Sequence, residues 1–254
     1  MKAIEIQQRR QKILTLLSEQ HQLSVQKLTE ILDVSDETIR KDLKVLVDQG
    51  MIKKSYGTAE IVSASPLPPV SHRDKTENPA KSAIAATALT LITPTMRSIG
   101  LDQGSTVAKL AARINDLHHK TVITRSLPAL IELKDGDNEF FSPGGYYNYN
   151  DMSFQNIENP ALPNIQLDIS FFGSSGVKNS EGLCSSSFTD AAFKKQMNDQ
   201  STVSIALLDH TKFTQTSLVT ALPWTKFDTL ITDHKTPQEI VKQLQNDVKV
   251  IVAD

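Results

Sequence analysis

The chain has 254 residues, a formal net charge of -2, 39% hydrophobic residues and 22% charged residues. This length predicts two domains of unequal size, and the composition excludes a mostly disordered chain. The single cysteine excludes an intramolecular disulfide framework. No apolar run reaches the roughly 20 residues of a membrane-spanning helix, and the start lacks a signal-peptide core, so we expect a cytoplasmic protein.

The net charge also limits how the chain could bind nucleic acid. A slightly acidic protein has no global positive field, so any affinity for DNA must come from a local basic patch. The first 62 residues contain such a patch within a pattern of short helices. Apolar residues recur at helical spacing from Glu5 to Gln20, a second helix follows Ser24, and a third follows Ser35.

The third helix is predicted to bury one face and to end at a glycine. Carboxylates in its first turn, Asp36 and Glu37, suit the helix dipole, and Gly50 suits the cap at its end. Beyond Gly50, residues 51–54 and 59–62 predict a two-stranded hairpin. Two short helices with a tight turn and a following hairpin form a winged helix-turn-helix, whose second helix lies in the major groove. Its predicted buried stripe consists of Ile39, Leu43, Leu46 and Val47.

Once that stripe faces inward, the polar residues of the third helix face outward. Arginine can form two hydrogen bonds with a guanine edge, lysine suits phosphate, and hydroxyl groups suit either partner. Alternatively, these cations form an ordinary solvated helix face whose charge is partly cancelled by Asp42 and Asp48. The predicted DNA-contacting residues are Ser35, Thr38, Arg40, Lys41 and Lys44 of the helix and Lys53, Lys54 and Tyr56 of the hairpin.

A proline-rich stretch without periodicity follows the hairpin. Residues 63–79 contain Pro66, Pro68, Pro69 and Pro79 and predict a linker. We therefore divide the chain into a winged helix-turn-helix domain at 1–62, the linker at 63–79 and a larger domain at 80–254.

The larger part alternates helical patterns with short apolar runs, which predicts an α/β fold with a mainly parallel sheet flanked by helices. Ligands of such sheets bind at the carboxyl ends of strands, where helix N-termini offer amides to anions. Five polar loops occupy such positions, although each alone is more often a turn. The predicted helices are 80–91, 106–114, 127–133 and 189–198; the strands are 98–101, 122–124, a strand at 140, 169–172 and 203–208; the loops are 101–106, 124–126, 143–145, 173–176 and 209–213.

A ten-residue motif, Val34-Ser35-Asp36-Glu37-Thr38-Ile39-Arg40-Lys41-Asp42-Leu43, spans the third helix. It resembles the recognition-helix pattern of the DeoR family of bacterial transcriptional repressors, which has Val-Ser, two variable residues, Thr-Ile-Arg, a basic residue and Asp-Leu. Tyr56-Gly57-Thr58 departs from the family's His-Gly-Gly turn. The five loops, followed by Ile231-Thr232-Asp233, resemble the family's effector domain, whose fold is similar to ribose-5-phosphate isomerase. The resemblance covers nearly the whole chain except the linker and residues 146–167.

This resemblance implies a sequence-specific repressor of a sugar or sugar-alcohol catabolic operon that binds double-stranded operator DNA. A phosphorylated sugar or polyol would release it, and the chain would form a homodimer or homotetramer. Lys212 would supply positive charge to the phosphate, and Asp102 or Asp209 would accept from sugar hydroxyls. The residues implied to frame the effector pocket are Asp102, Gly104, Ser105, Thr106, Thr124, Arg125, Ser126, Gly144, Gly145, Gly173, Gly176, Asp209 and Lys212.

Three positions leave the resemblance open. Arg125 stands where the family has asparagine, and it either adds a phosphate contact or points to solvent. Lys194 is a second candidate cation, although a solvated helix residue explains it better. The stretch Cys184 to Phe188 lacks the acidic residue that family members carry before the following helix.

Two other functional classes compete with a regulator. In a sugar-phosphate isomerase-like enzyme, Asp102 and Lys212 could act as base and oxyanion stabiliser, but a DNA-binding head would be hard to explain. A protein-docking module would explain the N-terminal helices but not the pocket loops. We expect no cofactor, because the chain has no metal-ligand cluster or nucleotide-binding glycine loop and His118, His119 and His210 are interpreted as surface residues.

Overall fold

The computed structural model describes residues 6, 9–10, 12–14, 16–17, 22–48, 52–55, 58–61, 78–133, 137–148, 151–155, 162 and 164–254. The chain divides into two compact units, Met1–Pro66 and Leu67–Asp254. The limits of the linker stay a prediction, because most of 63–79 lies outside the described residues. Gly50, Tyr56 and Gly57 lie outside them as well.

Both serine-capped helices of the N-terminal unit are confirmed. Helix α1, Val25–Leu32, begins after Ser24, whose hydroxyl accepts a hydrogen bond from the Lys27 amide at 3.1 Å. Helix α2, Asp36–Asp48, begins after Ser35, whose hydroxyl accepts from the Thr38 amide at 3.3 Å. These caps satisfy amides that have no partner inside the helix, and the Ser35 cap lies in the turn between the two helices.

The predicted hairpin is confirmed and belongs to a three-stranded sheet. Its strands pair antiparallel in the order β1-β3-β2, and the described residues from 6 to 17 are helical. The sequence did not predict β1, because three residues are too few to display a strand period. The strands are β1 at Gln22–Ser24, β2 at Ile52–Ser55 and β3 at Thr58–Ile61.

The core of this unit confirms three of the four residues predicted for the buried stripe. Ile39, Leu43 and Leu46 are at most 2% exposed and pack with residues of the N-terminal helical segment and of α1. Val47 is 36% exposed, so its prediction was wrong. On an α-helix, Val47 follows Arg40 and Lys44 at spacings of seven and three residues, which places it on the outer face.

The larger unit confirms the predicted α/β fold. A seven-stranded sheet has the order β14-β13-β11-β9-β4-β5-β6, and all of its described strand pairs are parallel. Its first half contains α3 at Asn78–Leu89, β4 at Ser98–Leu101, α4 at Ser105–Ile114, β5 at Thr121–Thr124, α5 at Leu127–Glu132, β6 at Glu139–Phe141 and the paired strands β7 at Tyr146–Asn148 and β8 at Ser153–Gln155.

The second half adds four strands of the main sheet and a separate two-stranded sheet, β10 with β12. The elements are β9 at Leu167–Gly173, β10 at Gly182–Ser185, α6 at Phe188–Asp199, β11 at Ser201–Leu207, 3-10 helices at His210–Thr214 and Trp224–Lys226, β12 at Val219–Pro223, β13 at Thr229–Asp233, α7 at Gln238–Leu244 and β14 at Lys249–Ala253. Strands β7, β8, β10, β12, β13 and β14 and helix α7 were not predicted from the sequence.

The main sheet is covered on both faces. Phe171 packs with α3 and α4 residues, whereas its neighbour Phe172 packs on the other face with Phe193 of α6. From β4 the chain builds the sheet toward β6, and from β9 it builds in the opposite direction toward β14. The chain therefore reverses its direction of building between the paired strands β4 and β9. This is the topological switch point, and ligands of open parallel sheets bind outside the carboxyl ends of the strands there. None of the described helices is long and apolar enough to cross a membrane.

Candidate functional sites

The outer face of α2 presents cations beside acids from the preceding helical turn. The Arg40 guanidinium pairs with both carboxylate oxygens of Asp36, with an Nη2–Oδ2 distance of 3.3 Å, and the Lys41 Nζ lies 2.8 Å from Glu37 Oε1. The hydrogen bonds that Arg40 and Lys41 donate to these acids raise the pKa of both residues. All four side chains are about half exposed or more, so water can compete for each pair.

Asp42 does not cancel the charge of this face. It is 2% exposed, and its two oxygens lie 2.6 Å from Arg9 Nε and 2.7 Å from Arg10 Nε. The expectation that Asp42 offsets the outer cations was therefore wrong, because the carboxylate points into the unit. A shallow groove on the outer face is lined by Glu37, Arg40, Lys41, Lys44 and Val47.

The other predicted DNA contacts are placed only in part. The hydroxyls of Ser35 and Thr38 lie 2.8 Å apart at the start of α2. Lys53 and Lys54 lie on β2, paired with β3, whereas Tyr56 is outside the described residues. Their contacts with DNA stay a prediction.

The larger unit has a cleft at the switch point of its sheet. It lies at the carboxyl ends of β4, β9 and β11 and opens to solvent. Five residues of the predicted effector set line it: Gly104, Ser105, Thr106, Gly173 and Lys212.

The amino end of α4 forms one wall of the cleft. Gly104 precedes the helix with φ of +129°, a conformation that disfavours any residue with a Cβ. Gly173 permits a close approach on the opposite side, since a Cβ there would lie 3.0 Å from the Gln103 carbonyl oxygen. The amides of the first turn and the hydroxyls of Ser105 and Thr106 are the donor types that bind anions.

Other members of the predicted set lie outside the lining and have structural roles. The Ser126 hydroxyl accepts from the Ala129 amide at the start of α5, and Thr124 Oγ1 accepts from the Ser126 amide at 3.0 Å. Gly144 and Gly145 form a turn with φ of +72° and +117°. A Cβ at Gly176 would lie 2.5 Å from the Gln215 carbonyl oxygen. Their part in effector binding stays a prediction.

A chain of buried charges lies at and below the floor of the cleft. Lys194 Nζ contacts Asp102 Oδ2 and lies 3.2 Å from Asp190 Oδ2, and Asp190 Oδ1 lies 3.1 Å from an Arg125 nitrogen. The four side chains are at most 4% exposed, and their formal charges sum to zero. Such burial is tolerated because each charge faces an opposite one.

Two sequence interpretations are corrected by this network. Lys194 is a buried ion-pair partner and lines the cleft, so its interpretation as a solvated residue was wrong. Arg125 does not point to solvent, because its guanidinium carbon lies 3.6 Å from the ring centre of Phe193. Asp190, the third residue of α6, accepts from Ser185 Oγ at 2.5 Å, so a carboxylate does contact the 184–188 stretch.

Burial and charge oppose each other in this network. Burial raises the pKa of Asp102, and the pull of Lys194 only partly offsets it. Burial also acts to raise the pKa of Asp190, but Lys194, Arg125 and the Ser185 hydroxyl together bring it below its ordinary value. Burial lowers the pKa of Lys194, but the two carboxylates outweigh it, so the lysine stays charged.

The sequence carries a signal for this network that was not among the predictions. Asp190 and Lys194 are four residues apart on α6, so they lie on one face of the helix. The apolar residues Ala191, Phe193 and Met197 are buried on the same helix, so the two charged residues fall within its buried side. Charged residues on an apolar stripe must be paired or lie at a site. Asp151, Ser186 and Asp190 also line the cleft and were not among the predicted residues.

A second charged cluster lies beyond β11. Asp209 is fully buried, and its Oδ2 lies 3.3 Å from Lys81 Nζ of α3, whereas Lys212 follows in the 3-10 helix and lines the cleft. His210 Nδ1 lies 2.9 Å from Asp233 Oδ1. The interpretation of His210 as a surface residue was wrong, because this side chain is only 21% exposed; His118 and His119 are exposed as predicted.

Known proteins share both units. Residues 9–65 match the DeoR-like helix-turn-helix domain, and residues 76–234 match the DeoR C terminal sensor domain. The chain belongs to the DeoR family. This regulator therefore combines a DNA-binding head with a sensor domain, and it is not an enzyme.

Relatives of this DeoR-family regulator match along most of their length. The HTH-type transcriptional regulator GolR of Listeria innocua is 34% identical over 94% of this chain and 95% of its own. The L-fucose operon activator of Haemophilus influenzae is 29% identical over 94% and 97%. Ribose 5-phosphate isomerase A of Methanocaldococcus jannaschii aligns at 19% identity over 54% of this chain and 55% of its own, with a TM-score of 0.39.

Proposed function

We propose that this regulator represses a sugar or sugar-alcohol catabolic operon and that a phosphorylated sugar or polyol releases it from operator DNA. The observation that carries the proposal is the cleft at the switch point of the sheet. It brings the amino end of α4, two buried hydroxyl residues and a lysine to one place. Amides, hydroxyls and a cation around one cleft suit a phosphate.

The remaining lining suits the hydroxyl groups of a sugar. Asp151 and Asp190 supply carboxylate oxygens, and Ser174 and Ser175 supply hydroxyls. Asp102 lies below the lining and is held by Lys194 and by the Gly173 amide at 3.0 Å, so it supports the wall of the cleft. Asp209 supports the wall in the same way beneath Lys212.

On the DNA side, Arg40 reads a base edge while Lys41 and Lys44 contact phosphates. The groove on α2 brings these three side chains to one exposed face. Lys53, Lys54 and Tyr56 of the hairpin contact the flanking backbone. Helix-turn-helix proteins read two half-sites as symmetric dimers, so the chain works as a homodimer or homotetramer in the cytoplasm.

The experiment combines a thermal-shift panel with operator binding. Purified full-length protein is screened against pentose, hexose and polyol phosphates, with the unphosphorylated compounds as matched controls. We expect a phosphorylated compound to raise the melting temperature and to weaken binding to a promoter duplex, measured by fluorescence anisotropy. Stabilisation by unphosphorylated sugars alone would contradict the phosphate assignment.

The sign of regulation needs its own readout, because the fucose relative is named an activator. Transcription from the bound promoter is measured in vitro with and without the stabilising compound. A repressor lowers transcription in the absence of the compound and restores it in its presence. Higher transcription upon protein addition would replace repression by activation.

A further inference from the structure

The carboxylate of Asp209 joins the effector cleft to the first helix of the sensor domain. Its Oδ1 accepts from the Thr211 amide at 3.1 Å, which fixes the start of the 3-10 helix that carries Lys212. Its Oδ2 lies 3.3 Å from Lys81 Nζ. Both members of this ion pair are at most 3% exposed, so solvent does not screen it.

Lys81 occupies a particular place along the chain. It is the fourth residue of α3, which is the first described element after the hairpin of the DNA-binding head. The covalent connection from the head therefore reaches the described part of the sensor domain at this helix. A change in the position of Lys81 acts on it directly.

The charges between the cleft and this helix alternate in sign. Lys212 lines the cleft with a positive charge, Asp209 is negative and buried, and Lys81 is positive and buried. Burial acts to raise the pKa of Asp209, but Lys212 and Lys81 outweigh it, so the carboxylate stays ionised. The Asp209 carboxylate thus interacts with two cations, Lys212 and Lys81.

We propose that Lys81 is a coupling residue, which transmits anion binding at Lys212 through Asp209 to α3, the first described helix after the head. This inference rests on the proposed phosphorylated effector. An anion bound by Lys212 weakens the electrostatic attraction between Lys212 and Asp209. The ion pair with Lys81 then supplies a larger share of the interactions that hold the Asp209 carboxylate. Because the pair is buried, such a change in attraction is large enough to shift an equilibrium between two arrangements.

The test measures the coupling itself. Operator affinity of the full-length protein is measured by anisotropy at constant ionic strength, with and without saturating inorganic phosphate, ribose 5-phosphate, fructose 6-phosphate or sorbitol 6-phosphate. For wild type we expect at least one probe to weaken operator binding about tenfold or more. For Lys81→Met we expect the same probe to change operator affinity by less than about twofold, while the probe still binds.

A matched control is provided by Lys120. It is 6% exposed, and its Nζ donates to the Met96 carbonyl at 2.6 Å. It directly precedes β5, so it lies at the amino ends of the strands, whereas the cleft lies at their carboxyl ends. Lys120→Met removes a buried lysine without touching the charge chain, so it should lose stability but keep the response to the probe. Asp209→Asn retains an oxygen for the Thr211 amide and provides the same test should Lys81→Met not fold.

The outcomes separate this inference from the proposed function. An undiminished response in Lys81→Met or Asp209→Asn overturns the coupling role and leaves the effector assignment intact. Equal loss of the response in Lys120→Met also overturns it, because the effect would then follow from stability alone. If no phosphorylated probe affects the wild type, the proposed effector class falls, and the coupling role falls with it.

Discussion

The outer face of α2 and the floor of the effector cleft both pair cations with acids, but in opposite surroundings. On α2 the partners are four residues apart and exposed, as in Arg40 with Asp36. In the cleft the partners are buried, and two of the three pairs described join distant parts of the chain, as in Lys194 with Asp102, 92 residues apart. The first kind of pair leaves its cations available to DNA, whereas the second holds a site in shape.

The difference follows from the cost of exchanging a partner. An exposed ion pair contributes little to stability, so a phosphate can replace Glu37 beside Lys41 without a large loss. A buried charge that loses its partner cannot be rehydrated, so the cleft network must remain intact. The same residue types thus form an exposed face in one unit and a rigid support in the other.

The largest effect is expected for Lys194→Met. This change leaves Asp102 and Asp190 buried without their shared cation, and we expect a loss of about 3 to 5 kcal/mol in the free energy of unfolding. Trp224, the only tryptophan and 5% exposed, reports urea unfolding of the sensor unit by fluorescence. Lys195→Met, at the exposed neighbouring position, is the control. Equal stability of the two variants would contradict the role of the network.

The next effect concerns DNA binding. Arg40→Ala should weaken binding to the specific operator by roughly 10- to 100-fold and relax preference at one base pair. Lys44→Ala should weaken binding to all duplexes and reduce the slope of affinity against salt by about one. Anisotropy titrations against operator and base-substituted duplexes at several salt concentrations distinguish the two. A uniform loss from Arg40→Ala would make it a phosphate contact.

A smaller effect is expected on the stability of the head, where α2 offers a matched pair of acids. Asp42→Ala removes the buried partner of Arg9 and Arg10, and we expect a loss of about 1 to 3 kcal/mol. Asp36→Ala removes an exposed partner and should leave stability nearly unchanged. Hydrogen exchange of peptides that cover α2 reports both. Equal protection in the two variants would contradict the comparison of buried and exposed pairs.

The smallest effect is a pH dependence at Asp168, a partly exposed acid. Its Oδ2 accepts from the amides of Ser98 at 2.9 Å and Arg97 at 2.7 Å, and these bonds hold the pKa of Asp168 below its ordinary 3.8. A lowered pKa in the folded state adds stability above the unfolded pKa, and this stability is lost as the pH falls through the folded value.

The measurement compares Asp168→Asn with wild type by Trp224 fluorescence. The difference in unfolding free energy should stay constant from pH 7 to about 5 and shrink at lower pH. The exposed Asp116→Asn serves as control and should show no such change. A difference for Asp168→Asn that persists unchanged at acid pH would show that these hydrogen bonds do not depend on the ionised carboxylate.

Local patterns allowed much of the fold to be predicted. Ser24 and Ser35 marked helix starts, the hairpin followed from its strand pattern, and β4 was predicted with its observed ends at Ser98 and Leu101. Strands without a clear period, such as β7 and β10, were missed because their pairing partners lie elsewhere in the chain. In the cleft, the loop glycines were predicted, whereas Asp151 and Asp190 were not.

The amino-acid sequence by itself determined the two-unit organisation, the cationic outer face of α2 and the parallel α/β fold, because these depend on neighbours within a few residues. Only the tertiary structure decided which charges are buried together. Asp102 and Arg125 follow strands β4 and β5, and they meet Asp190 and Lys194 of α6 at the switch point of the sheet. Their pairing depends on strand order and burial, and neither is encoded at short range.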